Sequence, residues 1–405
     1  MYINGSFHLS YCTNVHNSES WETTFSTLNN FIPKIKKDLS DRNPFGISLR
    51  LSHKTCKELS QRKNLAIFKD WLQIHQLYVL SIDGVAYGKM QGHEVKDLLY
   101  APDWASTARL DYTLMLINQM SYLLPKRMQG SITTSPLGFR HWYSDEDEKE
   151  QCYIKSAINL VKVVEVLYEL ECAAEKYIHL DLKPEPNSLL SNSTQVIDFF
   201  RAFLLPTGVE MLSKKLGKKA HEIEAMIFRY VNICYNTGAF FMAFESPSFT
   251  FKRFKQTDIK IGKIQMSSVL RFQMNEHKRE RIIKAFNQFN QNYFLHPVTE
   301  KIGETVITYL NLEDIVNKHL EIGELHALFN IPIYTEAYKN LESSQYTILE
   351  TLKCLKKSNV CELVEIESYM WDLLPEKLKK NGLQFSIAKE LRWLKERMQE
   401  EVYAN

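Results

Sequence analysis

Nowhere in the 405 residues do eighteen or more apolar side chains follow one another without a charge, and the opening MYINGSFHLSYC has no basic start before an apolar run. Neither a membrane-crossing helix nor a secretory leader is therefore expected. The seven cysteines, Cys12, Cys56, Cys152, Cys172, Cys234, Cys354 and Cys361, are odd in number, widely scattered and contain no CxxC pair. That excludes a disulfide framework and a zinc knuckle, and makes a reducing cytoplasm the expected compartment. With 50 Lys and Arg against 48 Asp and Glu there is no basic stripe to follow phosphates, so nucleic acid is excluded as a partner. No internal repeat or low-complexity linker divides the chain.

A phosphate-cradling glycine loop is also missing. The segment Tyr177 to Leu190, YIHLDLKPEPNSLL, has the look of a kinase catalytic loop, with Asp181 as base and Ile197-Asp198-Phe199-Phe200 in place of the metal-binding DFG. Pro186 stands where a magnesium-binding Asn is required, Phe200 replaces the glycine, and Gly84, Gly88 and Gly92 have the wrong spacing for G-x-G-x-x-G. A kinase is set aside.

What is present is an alternation of short β-branched runs with helical stretches, the pattern of parallel strands joined by helical crossovers. Strands are expected at Phe7 to Cys12, Gly46 to Leu51, Tyr78 to Asp83, Gly130 to Thr134, Tyr177 to Leu182, Val231 to Tyr235, Ile259 to Met266, Leu325 to Ile331 and Leu363 to Ser368. These nine exceed the eight of a barrel by one, and the extra strand is expected between Ser267 and Asn340. With 44% hydrophobic residues the length suits one barrel domain, 1–405, with 271–322 as an insertion or subdomain over its mouth.

Longer motifs add a resemblance. HLSYCTNVHNSESW from His8, NPFGISLRLS from Asn43, LYVLSIDGVAYG from Leu77, VKDLLYAPDW from Val95, GSITTSPLGF from Gly130 and KIQMSSVL from Lys263 together resemble the EboE-type metabolite traffic proteins. The likeness resumes at Phe294-Leu295-His296, at Leu325 to Pro332 and at Glu365 to Trp371. It implies a TIM (β/α)8 barrel of the xylose isomerase-like type. It also implies a cytoplasmic protein, peripheral to the inner membrane through a partner, that binds a small secondary-metabolite precursor; the implied partner is a membrane prenyltransferase-like protein encoded nearby.

Barrel ligands sit at the C-terminal ends of strands. Period-two alternation turns His8, Ser10 and Cys12 to one side, as it does Ser81 and Asp83, Ser131 and Thr133, and His179, Asp181 and Lys183. Lys263 and Gln265, Leu328 and Asn330, and Glu365 and Glu367 follow the same rule. Polar side chains are costly in a dry core, so this accumulation points to a binding cleft. Against the resembled family the chain departs at its metal donors: Lys183 replaces the Glu before Pro184-Glu185-Pro186, Asn236-Thr237-Gly238-Ala239 replaces Asp-Thr-Cys-His, and Leu328-Phe329-Asn330 replaces His-Phe-His. A catalytic metal takes at least three protein ligands, so no metal and no other cofactor is expected.

Lys183 is then expected to reach Glu365 or Glu367 across the mouth, with Asn236 and Gln265 as hydrogen-bond partners. Other candidate contacts are Glu185, His8 and His16 above the barrel, Arg50 toward an anion, and His93 with Lys96 on one turn. Tyr11, Tyr87, Tyr100 and Tyr112 are placed to wall an apolar cleft. Each has a plainer reading as a cap, a structural ion pair, a solvated turn or core. Three functions remain open: a metal-free binding protein, a sugar isomerase- or epimerase-like enzyme using Lys183 and Asp181 or a residual metal site, and an inert scaffold for a membrane partner.

Overall fold

The computed structural model describes residues 1–400 except 17–18, 40–42, 89–94, 290–293, 317–323, 368–370, 372–373 and 380. Its strands in chain order are β1 (Tyr2–Ile3), β2 (Phe7–Tyr11), β3 (Phe45–Arg50), β4 (Leu77–Asp83), β5 (Gly130–Thr134), β6 (Ile178–Leu182) and β7 (Val231–Asn236). There follow β8 (Ile261–Met266), β9 (Ser268–Gln273), β10 (Val298–Ile302), β11 (Thr305–Tyr309), β12 (Glu324–Ile331), β13 (Ala337–Tyr338), β14 (Leu341–Ser343) and β15 (Leu363–Ile366).

Eight of them are parallel and run β2-β15-β8-β7-β6-β5-β4-β3. The ends meet: Cys12 bridges Ser48 in parallel, Ser10 Oγ donates to the Gly46 carbonyl at 2.7 Å, and the Arg50 amide donates to Thr13 Oγ1 at 2.8 Å. Helices lie in every connection, so the architecture is a (β/α)8 barrel. Strand faces turned outward carry the apolar residues (Leu9, Ile47, Val79, Ile132, Leu180, Ile264, Val364), all at 1% exposure or less, against the helices. Short polar side chains start the helices: Ser52, Ser106, Asp145 and Asn192 each accept an amide hydrogen bond from the first turn. Glu146, Asp147 and Glu148 form the first turn of helix Glu146–Ala174, where carboxylates favour the helix dipole.

The ninth expected strand, Leu325 to Ile331, is β12 of a second, antiparallel sheet ordered β11-β10-β12-β9-β14-β13. This sheet interrupts the barrel between its last two strands and runs from Ser268 to Ser343, with its own core of Leu270, Phe272, Phe286, Val298, Leu325 and Phe329. β9 leaves β8 after a single residue, Ser267, so the sheet is tied directly to the C-terminal rim of the barrel.

Candidate functional site at the barrel mouth

Three tiers of polar side chains fill the barrel. In the lowest, Asp181 accepts from Ser131 Oγ at 2.5 Å and holds His179 Nδ1 at 2.6 Å. The approach needs a glycine on the facing strand, because a Cβ on Gly262 would lie 2.2 Å from Asp181 Oδ1 and 2.7 Å from the His179 ring. In the middle tier Lys263 Nζ lies 2.9 Å from Glu365 Oε1, and Glu365 also accepts from Gln265 Nε2 at 2.6 Å and Ser81 Oγ at 2.8 Å. Both charged side chains are fully enclosed, at 0% exposure.

The upper tier opens on a cavity. Lys183 Nζ donates to Glu367 Oε1 and lies 2.7 Å from Glu185 Oε1. Asn236 Nδ2 donates to Glu367 Oε2 at 2.5 Å and to Gln265 Oε1 at 3.3 Å. Asn236 Oδ1 caps the helix Thr237–Met242 by accepting from the Ala239 amide at 2.8 Å, which fixes the direction of its amide. Asp83 Oδ1 accepts from the Val85 amide at 3.0 Å, at the rim.

Burial disfavours the Lys183 ammonium, but Glu185, Glu367 and Asp83 outweigh it and hold its pKa well above the ordinary lysine value. Burial also raises the Glu185 carboxyl, with Glu367 and Asp83 adding to the rise and Lys183 opposing it. In the middle tier Lys263 loses to burial and gains more from Glu365, so it too stays charged.

The cavity above this tier encloses about 180 Å³. Its floor is Arg50, Asp83, Lys183, Glu185, Asn236 and Glu367; its roof is Phe289, Phe294, Leu295, His296, Leu328 and Phe329, with Asn330 beside them. Most of the roof thus comes from the inserted sheet and the segment before β10. Among the described residues, Asn14 Oδ1, Arg50 Nε and Asn330 Oδ1 are enclosed polar atoms of its lining that find no hydrogen-bond partner. Arg50 is otherwise held by Nη2 donating to the Gly88 carbonyl at 3.0 Å.

Arg50, Asp83, Lys183, Glu185, Asn236, Asn330 and Glu367 therefore converge on one cavity, while His179, Asp181, Lys263, Gln265 and Glu365 lie in the closed tiers beneath it. The cross-barrel lysine pair forms with Glu367; Glu365 belongs to Lys263. His8 is at the opposite end of the barrel, paired in register with Leu363 at the start of β15 and bonded to Tyr78 Oη at 2.9 Å. Burial, with the N-terminal charge, lowers its pKa to about 4. His16 packs on Phe31 outside the strands, takes the Tyr11 hydroxyl at 2.9 Å and is likewise lowered by burial to about 4. His8 is therefore not above the barrel, and neither histidine lines the cavity. Lys96 is exposed on a short 3-10 turn and is not part of the cavity lining, and His93 lies outside the described residues. The four tyrosines are not the apolar wall either: Tyr87 stacks on His53 and packs against Tyr112, Tyr100 donates to the Pro186 carbonyl, and Tyr11 serves His16. Phe289, Phe329 and Asn14 were missed, the phenylalanines because aromatic residues in an insertion read as core; the motif Phe294-Leu295-His296 was the available signal.

The residues at the mouth do not fit a divalent cation. An ammonium occupies the space between Glu185 and Glu367, and among the described residues no three His, Cys, Asp or Glu side chains converge as a ligand set.

No family model and no curated protein matches the chain. Among solved structures it is similar to an L-ribulose 3-epimerase, at 12% identity and TM-score 0.49, over 97% of this chain and 95% of that one. It is also similar to the IolI protein with a bound zinc atom, at 10% identity and TM-score 0.49 over 98% and 100%, and to the 3-keto-D-glucoside 4-epimerase YcjR of E. coli, at 9% identity and TM-score 0.47 over 96% and 99%. Likeness at this level assigns no chemistry; the barrel rests on its own strand order. No described helix is long and apolar enough to cross a membrane.

Proposed function

We propose that the protein binds a small molecule with a polar head and an apolar body at the barrel mouth, and serves the movement or maturation of a secondary-metabolite precursor. The observation that carries this reading is the cavity itself: a charged floor, a roof of phenylalanine and leucine, and polar atoms at Asn14, Arg50 and Asn330, without a partner among the described residues, that a ligand's head would satisfy. Lys183 favours binding over covalent chemistry, because an ammonium tied to two carboxylates is a poor nucleophile. The membrane prenyltransferase-like partner implied by the resemblance belongs to the same proposal, as the protein that receives the ligand.

A second reading, isomerase- or epimerase-like proton transfer, is favoured by one group. Glu185 lines the cavity with its carboxyl pKa raised, which suits a general acid or base. Asp181 does not serve this reading, since its carboxylate is enclosed and engaged by Ser131 and His179.

Mass spectrometry of small molecules released by denaturing the purified chain tests the proposal. A compound near one per chain is expected from wild type and is lost from Leu328→Trp, which fills the cavity from its roof. Equal recovery from both proteins, or none from wild type, would count against it.

A further inference from the structure

A second polar site lies on the barrel rim, with no lining residue in common with the cavity. Its groove, of about 650 Å³, runs between the loops leaving β6 and β7 and the β10–β11 hairpin. Three cations from separate segments reach it: Arg140 after β5, Arg253 on the helix Pro247–Gln256, and Lys301 on β10. They stand against two carboxylates, Glu245 and Glu304.

The two arginines are held by hydroxyls. Arg253 Nη1 donates to Ser193 Oγ at 3.0 Å and Thr194 Oγ1 at 2.7 Å, and Arg140 Nη2 donates to Ser191 Oγ at 3.2 Å. Ser191 and Ser193 are two residues apart, so the anchoring Cα atoms lie within about 7 Å of each other. Among the described residues the side-chain partners of these guanidiniums are hydroxyls and, for Arg253, the Phe249 ring, never a carboxylate. Glu245 accepts from the Ser193 amide at 3.1 Å, from Thr250 Oγ1 at 2.9 Å and, at 2.8 Å, from the same Ser193 hydroxyl that anchors Arg253, so it meets that guanidinium through the hydroxyl and not directly. Among the described residues Lys301 forms its ion pair with the fully exposed Glu304, at 3.8 Å. A guanidinium has five donors in a planar fork, and here each spends one terminal nitrogen on an anchor. The other nitrogens remain for an anionic oxygen group, and the hydroxyls hold the forks in place before it arrives.

We propose that this groove is a second ligand site, for a phosphomonoester group bridged by Arg140 and Arg253. It stands independently of the function proposed for the cavity. Pro186 lines the groove and Glu185 the cavity, so the two sites adjoin along the chain without sharing a residue.

Calorimetric titration of the full chain with inorganic phosphate, against chloride at matched ionic strength, tests it. Saturable one-to-one uptake is expected, weakened roughly tenfold or more in Arg140→Gln and in Arg253→Gln and unchanged in Leu328→Trp. A rise in the wild-type unfolding temperature in phosphate over chloride gives the same answer should a variant fail to fold. Sedimentation with phosphatidic acid vesicles, compared with phosphatidylcholine, separates the sources. Vesicle binding lost in Arg253→Gln assigns the group to a lipid headgroup; phosphate uptake without vesicle binding assigns it to a soluble phosphomonoester. No saturable uptake together with no thermal shift would overturn the proposal, as would uptake unaltered in both arginine variants.

Discussion

Two lysine–glutamate pairs stand one above the other in the barrel and differ in what surrounds them. Lys263–Glu365 is sealed, at 0% exposure for both side chains, with Gln265 and Ser81 completing the Glu365 carboxylate. Lys183–Glu367 faces the cavity, at 6% and 11%, with Glu185 as a second carboxylate and Asn236 as neutral support. The same chemistry therefore serves two ends: the sealed pair has no route to a ligand and holds the strands, whereas the open pair is where a ligand's head would arrive. Enclosed charges repay their desolvation only with near-complete partners, and the lower pair is the better furnished.

The largest expected effect is on the sealed pair. Lys263→Met leaves Glu365 charged and enclosed, and should lower unfolding free energy by about 3–5 kcal/mol, read by urea titration. Adding Glu365→Gln should restore part of the loss; a Lys263→Met variant as stable as wild type would erase the distinction between the tiers. Gly262→Ala strikes the lowest tier by pressing a methyl into Asp181 and His179, at a cost of about 1–3 kcal/mol or more. At the open pair Lys183→Met should cost less, about 2 kcal/mol, because Glu367 keeps Asn236 and can draw on the cavity's solvent.

The smallest effect separates the tiers by pH. Glu185 has a folded pKa raised above its unfolded one, so its contribution to stability is present at acid pH and is lost as pH rises through the folded value. Glu185→Gln should flatten stability across the window just above the ordinary carboxylate range. The same flattening in Lys263→Met would show that the titration is not confined to the open tier.

Each of the nine strands expected from β-branched runs has a counterpart in the structure, because strands covered on one face by helices keep their apolar alternation unbroken. β9 escaped notice because it follows β8 after Ser267 alone, with no turn residues to mark the break. Alternation tells which face a side chain occupies but not its height along the barrel. That is why His8, on the inward face, was placed at the mouth and sits at the other end, while Lys183 and Glu367, just past their strands, sit at the rim. The roof was illegible for a different reason: Phe289 and Phe329 become cavity lining only when an inserted sheet folds back over the barrel, a contact no local pattern encodes.

The central claim is that Lys183 stands tied to Glu367 beneath the cavity. A double-mutant cycle of Lys183→Met and Glu367→Gln, read by unfolding free energy at neutral pH, tests it most directly. A coupling above about 1 kcal/mol is predicted, with the double variant more stable than Lys183→Met alone. Two losses that simply add, within about 0.5 kcal/mol, would contradict it and leave Glu185 as the carboxylate partner of Lys183.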